Sequence, residues 1–272
     1  MNDSIGDRMK LFYESRSNYQ LTRRVPVIIR VDGKCFSKFC KRFVKPYDTF
    51  LNTTLNQVML KLCQNVQGVK FTERHSDEIS LLVTDYDDIK TDAYFDYKIQ
   101  KICSTVAALA TAEFCRILIE TSVYNSTTNS LNDRSPKDQQ QKIYLTFSES
   151  WPTFDARCFN IPKEEVVNYF WWRTLDCLRT SVNMLAQSKF SHKELTGKNS
   201  SQMQEMLFIS HGINWNDLPQ EQKTGFMCFK ENTEPHGSTL GDVSNYSSRT
   251  NWTIKPCYAT VEEARGIITP LI

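Results

Sequence analysis

The sequence predicts a layered fold of the α+β or α/β class, in which strands and helices alternate along the chain. Residues 25–31 and 79–83 are short apolar runs rich in β-branched residues, which is typical of buried strands. Residues 92–119 instead carry apolar side chains at helical spacing, and no internal repeat is visible. These observations together favour a sheet covered by helices.

The elements follow one another without long gaps in the first half of the chain. In order, we predict strand 25–31, helix 47–64, strands 66–72 and 79–83, helix 92–119, strand 157–161 and a helix that starts at Pro162. Pro162 suits the first turn of a helix, and Glu164 and Glu165 complement the positive end of its dipole. The last helix is therefore the one with the clearest start signal.

Composition limits the class of protein more than its function. The 272 residues allow one large or two small domains, and a net charge of +2 neither requires nor excludes a nucleic-acid partner. No apolar run of about 18 residues is present, so we expect no membrane span. The N-terminus lacks a signal-peptide pattern.

Cysteine usage indicates a reducing compartment. The nine cysteines form no CxxC pair, and closely spaced Cys/His pairs typical of zinc sites are absent. We expect scattered reduced thiols and a cytoplasmic protein, with import into an organelle as an open alternative.

Domain limits follow the change in composition along the chain. We predict a catalytic domain over 1–160 with a polar surface insertion near 122–142, where Asn, Ser, Thr and Gln dominate. Residues 161–230 would form a helical region that completes the catalytic unit. Residues 231–272 would be a loosely organised C-terminal extension.

Two short acidic stretches carry the chemistry. Arg30-Val-Asp-Gly-Lys34 follows the first apolar run, and Ser76-Asp-Glu78 precedes the run that starts at Ile79. If the two strands pair, Asp32 and Asp77 would face each other, and a divalent cation would relieve their repulsion. Such a pair is the minimal apparatus of two-metal nucleotidyl transfer. The alternative is that Asp32 and Gly33 form a simple turn.

The same stretches belong to a set of motifs in a particular order. These motifs are GDRM from Gly6, RVDGKCFSKF from Arg30, KPYD from Lys45 and SDEIS from Ser76. They resemble the tRNA-His guanylyltransferase superfamily, most closely its guanylyltransferase-like branch of 3′-to-5′ RNA polymerases. The resemblance covers most of residues 5–230. It implies a polymerase- or cyclase-like palm domain, an antiparallel sheet backed by helices, with a smaller helical C-terminal region.

The resemblance also implies roles for single residues. Two Mg²⁺ ions would be held by Asp32, Asp77 and the carbonyl of Gly33, and Lys45 would act with the two carboxylates at the activated 5′ end. ATP and other nucleoside triphosphates would be substrates. The residues implied to bind them are Gly33, Lys34, Cys35, Phe36, Ser37, Ser76, Lys98 and Lys101.

Several of these assignments have alternatives. Asp77 and Glu78 are adjacent and would point to opposite faces of a strand, so only one can join Asp32. Lys98 and Lys101 would equally suit a solvated helix face. Ser37 stands where some members carry histidine. Arg30 and Arg157 are further candidates.

A departure from the eukaryotic pattern decides between branches. Where eukaryotic tRNA-His enzymes carry His-Ile-Asn-Asn-Leu-Tyr-Asn, tied to recognition of the histidine tRNA, this chain has Leu178-Arg-Thr-Ser-Val-Asn-Met184. We therefore expect a template-dependent 3′-to-5′ nucleotidyltransferase that repairs 5′-truncated tRNA. The alternative is a tRNA-His guanylyltransferase adding G at position −1.

Rivals from other classes are an idle RNA-binding palm protein and a nucleotide cyclase. The Asp32 and Asp77 pair opposes the first, and the tRNA-enzyme motifs oppose the second. Because members of the family are commonly tetramers, we also expect a homo-oligomer, and specifically a tetramer.

Overall fold

The structure of the protein, a computed structural model, describes residues 4–128, 151–233 and 249–272. Within these ranges one antiparallel sheet has the order β4-β1-β3-β2-β5-β6. Its strands are β1 (Val27–Lys34), β2 (Val69–His75), β3 (Glu78–Val83), β4 (Thr153–Asn160), β5 (Phe226–Thr233) and β6 (Arg249–Pro256). The expected antiparallel sheet backed by helices is confirmed, and the fold is α+β.

Helices connect the strands and cover both faces of the sheet. They are α1 (Ile5–Phe12), α2 (Phe36–Phe39), α3 (Thr49–Asn65), α4 (Ile99–Thr128), α5 (Lys163–Gln187), α6 (His192–Leu195), α7 (Ser200–His211), α8 (Gln220–Thr224) and α9 (Val261–Ile268). Local signals set their starts: the Asp48 carboxylate accepts a hydrogen bond from the amide of Leu51 at 2.9 Å and caps α3. Pro162 precedes α5, whose first turn carries Glu164 and Glu165 as predicted.

Strand β1 is buried on both faces because helices lie above and below it. Val27, Ile29 and Val31 join the core formed with α3 and α4, whereas Ile28 joins the core formed with α5 and α9. All four side chains are fully buried. A strand covered on both sides reads as a continuous apolar run, which is why this segment lacks the alternation of a surface strand.

Helix α4 is the main support of the first face. Ile102, Val106, Ala110 and Phe114 are fully buried at helical spacing against the sheet. By length and composition alone, the 22 residues Ile99–Glu120 would also suit a membrane span. Four fully buried side chains on one face of this segment are typical of a core helix.

The C-terminal prediction is wrong for residues 249–272. Strand β6 pairs along β5 from Phe226 to Thr233, and Ala264 and Ile268 of α9 are fully buried in the second core. The apolar positions are few and separated by polar residues, so the segment gave no continuous signal. It is part of the sheet domain rather than an extension.

The polar insertion predicted at 122–142 has only its beginning within the described ranges. Helix α4 continues to Thr128, past the end predicted at 119. The rest of the insertion lies outside the described residues.

Replacing Phe114 by alanine tests the role of α4. Phe114 packs against the rings of Phe36 and Phe154 at centroid distances of 5.3 and 5.6 Å. We expect Phe114→Ala to lower the free energy of unfolding by about 3–5 kcal/mol, because a large side chain leaves a cavity in a rigid core. Denaturant unfolding measures it. Phe208→Ala, at a ring that is 63% exposed, is the control and should change stability by less than about 0.5 kcal/mol. Equal losses would contradict the assignment.

Candidate active site

Asp32 lies where β1 leaves the core. Its side chain is 43% exposed, one residue beyond the fully buried Val31. Alternation along the strand puts Asp32 on the face of Ile28, the face covered by α5. The carboxylate is therefore fixed by a rigid strand but remains open to ligands.

A second carboxylate, Asp155, is paired with Asp32 on the neighbouring strand β4. Two like charges directly opposite each other destabilise a sheet. Arg157 offsets them, because its Nη2 atom lies 3.2 Å from Asp155 Oδ1 and 4.0 Å from Asp32 Oδ2. The predicted candidate Arg157 thus lies at the site, and Asp155 is an addition to it.

Asp77 lies in the tight turn between β2 and β3, as the sequence predicted. Ser76 adopts a left-handed conformation there, with φ of 53°. The buried guanidinium of Arg74 holds the turn by donating to the carbonyl of Ser76 at 2.6 Å and to the side chains of Asn52 and Asn56 on α3. The turn is therefore anchored to the helix layer.

Asp32 and Asp77 meet by a different route from the one expected. In the antiparallel register Val31 pairs with Ile79, so the next residue across from Asp32 is Glu78. The expectation that Asp32 and Asp77 face each other across paired strands is therefore wrong. Asp77 instead reaches β1 from the turn, at Gly33.

The approach of Asp77 to Gly33 requires the absence of a side chain. A Cβ atom on Gly33 would lie 2.6 Å from Asp77 Oδ2 and 2.3 Å from a ring carbon of Phe36. The backbone of Gly33 thus lies beside the carboxylate of Asp77, next in sequence to Asp32. This juxtaposition brings together the three residues that were predicted to hold metal.

The electrostatics of this cluster favour a cation. Burial raises the pKa of Asp77, and the charges of Asp32 and Glu78 raise it further, against hydrogen bonds from its own backbone and Ser76 that lower it. Carboxylate and carbonyl oxygens are the ligands that Mg²⁺ prefers. Asp32, Asp77 and Gly33 therefore fit a divalent cation, which would offset the repulsion that the site contains.

Glu78 has a partner of its own. Arg173 on α5 binds both of its carboxylate oxygens, at 2.7 and 2.8 Å. This bidentate pair ties the β2–β3 turn to α5 from the face opposite Arg74. Glu78 therefore acts as a support for the turn, while Asp77 remains the carboxylate beside Gly33.

The predicted nucleotide-binding loop follows directly. Lys34, Cys35 and Ser37 are exposed, but Phe36 is buried against Phe154 at a centroid distance of 5.0 Å. The Phe36 side chain is thus a core anchor that cannot touch a base, which limits any contact there to the backbone. Cys35 has φ of 57°, so the chain turns sharply into α2.

Lys45 is exposed and close to this cluster. The pKa of the Cys40 thiol is raised to about 11 by burial, lowered by Lys45 and raised by Asp77, so both groups lie near the thiol. Asp48 braces the segment by accepting from the amide of Val44 at 3.0 Å. The structure therefore brings Lys45 to the side of the site that holds Asp77.

Lys98 and Lys101 lie elsewhere. They line a cavity of about 900 Å³ with Lys10, at the start of α4. The part of α4 that touches the site is at Phe114, 13 residues and roughly 20 Å along the helix. Within one chain the lysines are not brought to Asp32 and Asp77, so their contact with a triphosphate stays a prediction.

Sequence reasoning missed Arg74 and Asp155, and it missed the pairing of Arg173 with Glu78. Asp155 lies two residues before the predicted candidate Arg157, so its position carried a signal. No local pattern indicates the contacts of Arg74 and Arg173, because their partners are 18 and 95 residues away. The predicted candidate Arg30 lies on the face of Asp32, and its buried Nε has no hydrogen-bond partner among the described residues.

Comparison with known proteins identifies relatives of the whole arrangement. A family model described as tRNAHis guanylyltransferase (Thg1) matches residues 6–162. A probable tRNA(His) guanylyltransferase of Dictyostelium discoideum is 26% identical over 237 residues, which cover 81% of this chain and 81% of that protein.

Solved structures extend the similarity to the full chain. A bacterial tRNA(His) guanylyltransferase (Thg1)-like protein in complex with ATP is 33% identical, with a TM-score of 0.79 and 99% of each chain covered. A second structure of that description, in complex with GTP, is 32% identical with a TM-score of 0.74. The Saccharomyces cerevisiae tRNA(His) guanylyltransferase is 21% identical over 79% of this chain, with a TM-score of 0.58, and shares the fold.

Adding one methyl group at Gly33 tests the close approach. We expect Gly33→Ala to lower the free energy of unfolding by about 1–3 kcal/mol, because the Cβ would overlap Asp77 and Phe36. Thermal unfolding measures it. In Gly266→Ala, the control, the new Cβ meets nothing within 4 Å in helix α9, so stability should rise by about 0.5–1 kcal/mol. A neutral Gly33→Ala would show that the turn is loosely placed.

Neutralising Asp77 tests the electrostatic cost of the site. The raised pKa of Asp77 means that the fold favours the neutral carboxyl, so the stability it contributes at low pH is lost as pH rises through that pKa. Metal-free Asp77→Asn should therefore be more stable than wild type at neutral pH, with the difference shrinking at low pH.

Magnesium should reverse the order of stability of the wild type and Asp77→Asn. At about 100 times its Kd, Mg²⁺ should stabilise the wild type by about 2.7 kcal/mol and Asp77→Asn hardly at all. Thermal unfolding with chelator or with Mg²⁺ measures both effects, and Asp217→Asn at an exposed position is the control. Equal responses of the wild type and Asp77→Asn to Mg²⁺ would remove Asp77 from the cation site.

Proposed function

The chain belongs to the tRNAHis guanylyltransferase (Thg1) family of nucleotidyltransferases, and we propose that it restores 5′-truncated tRNA by template-dependent 3′-to-5′ nucleotide addition. The observation that carries this proposal is the convergence of Asp32, Gly33 and Asp77 at one end of the sheet. Transfer of nucleotides needs charge stabilisation at phosphorus, which cations held by these carboxylates would supply.

The proposed reaction has two displacements at phosphorus. An oxygen of the tRNA 5′-monophosphate attacks the α-phosphorus of ATP and releases pyrophosphate. The 3′-hydroxyl oxygen of the incoming nucleotide then attacks the 5′-phosphorus and releases AMP, and the hydroxyl proton passes to solvent. If the 5′ end carries a triphosphate, pyrophosphate leaves instead.

Asp32, Asp77 and the Gly33 carbonyl would hold Mg²⁺, two ions in the proposal. Bound metal supplies stabilisation of the attacking and leaving oxygens. The residues themselves provide geometry: β1 fixes Asp32, and Arg74 and Arg173 fix the turn that carries Asp77. Lys45 would attract the phosphate of the 5′ end, and Arg157 would balance Asp155 next to Asp32.

Nucleotide contacts beyond the metal site rest on the loop after β1. Relatives of this chain have been solved with ATP and with GTP, which supports both as substrates here. In the proposal, the backbone of Gly33 to Ser37 and the exposed side chains of Lys34 and Ser76 would contact them. Lys98 and Lys101 would bind an anion that enters the separate cavity they line.

Repair of truncated tRNA is supported by α5. Residues 178–184 replace the segment tied to histidine tRNA, and they serve packing: Val182 is buried, and the Ser181 hydroxyl accepts from the indole of Trp215 at 3.0 Å. The closer similarity is to a bacterial Thg1-like protein at 33% identity, against 21% for the yeast enzyme. The segment 178–184 therefore has no evident means of recognising the anticodon of one particular tRNA.

The second candidate is addition of G at position −1 of histidine tRNA. It is favoured by the names of relatives from Dictyostelium and Debaryomyces, which are tRNA(His) guanylyltransferases. It uses the same carboxylates and nucleotides, so the two candidates differ in how the added base is chosen.

Assembly into an oligomer is part of the proposal. Helix α1 has no buried residue, and its apolar side chains are exposed: Ile5 by 71% and Phe12 by 54%. Exposed apolar side chains on a helix that has no buried residue are typical of a subunit contact.

Template choice separates the two candidates. We expect tRNAs of several identities, each lacking the 5′ nucleotide, to be restored with the base complementary to the opposite strand. A mismatched nucleotide would displace its reacting 3′-hydroxyl, and a displacement of about 1 Å costs roughly 10²-fold in rate. Labelled nucleotides and product sequencing measure it. Changing the opposite base should change the base added, and addition should stop at a complete stem.

Controls make the result specific to the site. Asp32→Asn and Asp77→Asn should each remove both adenylylation and addition, by at least about 10³-fold, while Asp217→Asn stays active. Addition of G alone, to full-length histidine tRNA and regardless of the opposite base, would select the second candidate. Activity in the folded Asp32 or Asp77 variants would reject the site.

A further inference from the structure

A second cluster of ligand-type side chains lies on the other side of the β2–β3 turn. The ligand atoms of Glu73, His75 and Cys257 all lie within 4.8 Å of one another, and all three residues are buried. Glu73 and His75 alternate with Arg74 and share the face of Phe71, which packs on α5. Asp77 approaches Gly33 and Phe36 of the opposite core, so the two clusters are separate.

His75 presents a nitrogen that protein groups leave unsatisfied. Its side chain is 8% exposed, and Nε2 lies 2.6 Å from Glu73 Oε1. The direction is wrong for a hydrogen bond, so this buried nitrogen has no hydrogen-bond partner among the described residues. The ring is held in place by Gly225, where a Cβ would lie 2.6 Å from its Cδ2 atom. A short contact without a hydrogen bond fits two atoms that aim their lone pairs at a common point.

Glu73 is a buried carboxylate whose hydrogen-bond donors are neutral hydroxyl groups. It is 1% exposed and accepts hydrogen bonds from the hydroxyls of Thr174 at 2.8 Å and Tyr258 at 2.6 Å. Within the described ranges, no lysine or arginine forms an ion pair with it. Hydroxyl donors of this kind orient the carboxylate ligands of metals, and a buried carboxylate needs a positive charge nearby.

Thiols complete the surroundings. Cys257 is fully buried, and its amide donates to the carbonyl of Gly225 at 3.0 Å, so the segment that holds His75 also holds Cys257. Cys177 follows Thr174 by three residues on α5, on the same face of that helix. Cys177 is partly buried, and its sulfur lies outside the group of ligand atoms that are within 4.8 Å of one another.

We propose that Glu73, His75 and Cys257 bind a Zn²⁺ ion, and that the side chain of Cys177 turns towards the ion to become the fourth ligand. One nitrogen, one oxygen and two sulfur donors suit zinc, and structural zinc sites are closed four-coordinate sites of this kind. Binding would release the thiol protons to solvent, and the bond would form between each sulfur and the ion. No oxidant or reductant is needed.

The ion would join three distant parts of the chain. Strand β2, helix α5 and the segment after β6 each supply a ligand, and His75 is two residues before Asp77. Zinc would therefore fix the base of the turn from the α5 face, as Arg74 fixes it from the α3 face. Its role would be structural, because Glu73, His75 and Cys257 are buried and Cys177 would take the fourth coordination position.

The test measures metal directly in the full chain without a histidine tag. Protein produced in zinc-supplemented medium and freed of loose metal should contain about one equivalent of zinc per chain by elemental analysis. His75→Gln and Cys257→Ser should each lose it. Cys63→Ser is the matched control, a buried cysteine beside Thr72 on the other face of the sheet, and should keep it. Asp77→Asn should also keep it, which separates this site from the catalytic one.

Cobalt gives a second readout that does not depend on activity. Replacement of zinc by Co²⁺ should give a thiolate-to-metal charge-transfer band in wild type and Cys63→Ser but not in Cys257→Ser. If Cys257→Ser does not fold, His75→Gln and Cys177→Ser decide by zinc content. Less than about 0.1 equivalent of zinc in the folded wild type, or full zinc in both His75→Gln and Cys177→Ser, overturns the site.

Discussion

The contact between the Asp77 carboxylate and the backbone of Gly33 is the constraint on which the catalytic site depends. It needs a residue without a side chain at Gly33, and it needs a turn that is held in place. The first requirement is met within β1, whose buried residues fix the strand between two helix layers. The second is met by Arg74, which donates to the turn from inside the α3 face, and by Arg173, which holds Glu78 from α5.

This arrangement places several carboxylates close together, which costs stability. Asp32 faces Asp155 across paired strands, and Asp77 has a raised pKa because it is buried beside other carboxylates. Arg157 offsets only part of this charge from the solvent side. A protein selected for stability alone would not keep such a group of acids, and the family to which the chain belongs explains why it does. In the proposed function, bound cations would relieve this repulsion.

The β2–β3 turn joins two polar clusters with opposite exposure. Asp77 is partly exposed, whereas Glu73 and His75 are enclosed between β2, α5 and the segment after β6. Both clusters depend on the C-terminal region, because Cys257 and Tyr258 close the enclosed one and β6 completes the sheet. The region after residue 249 thus supports the turn that carries Asp77.

The sequence by itself determined a layered fold of strands and helices, the strands on either side of the turn, and Asp32 and Asp77 as the candidate carboxylates, while the family resemblance added the antiparallel sheet and Gly33. These features depend on local patterns, namely apolar runs, helical spacing and short motifs, and so they are readable without contacts. It also identified Lys45, which the structure brings near Asp77. Only the tertiary structure decided that Asp77 meets Gly33 from the turn, because strand register is set by pairing between segments about 50 residues apart. For the same reason it alone revealed Asp155 opposite Asp32, the separation of Lys101 from the carboxylates along α4, and the meeting of His75 with Cys257. The spacing of cysteines and histidines in the sequence argued against a zinc site. That criterion considers residues close along the chain, whereas the ligands of the proposed site are close only in space.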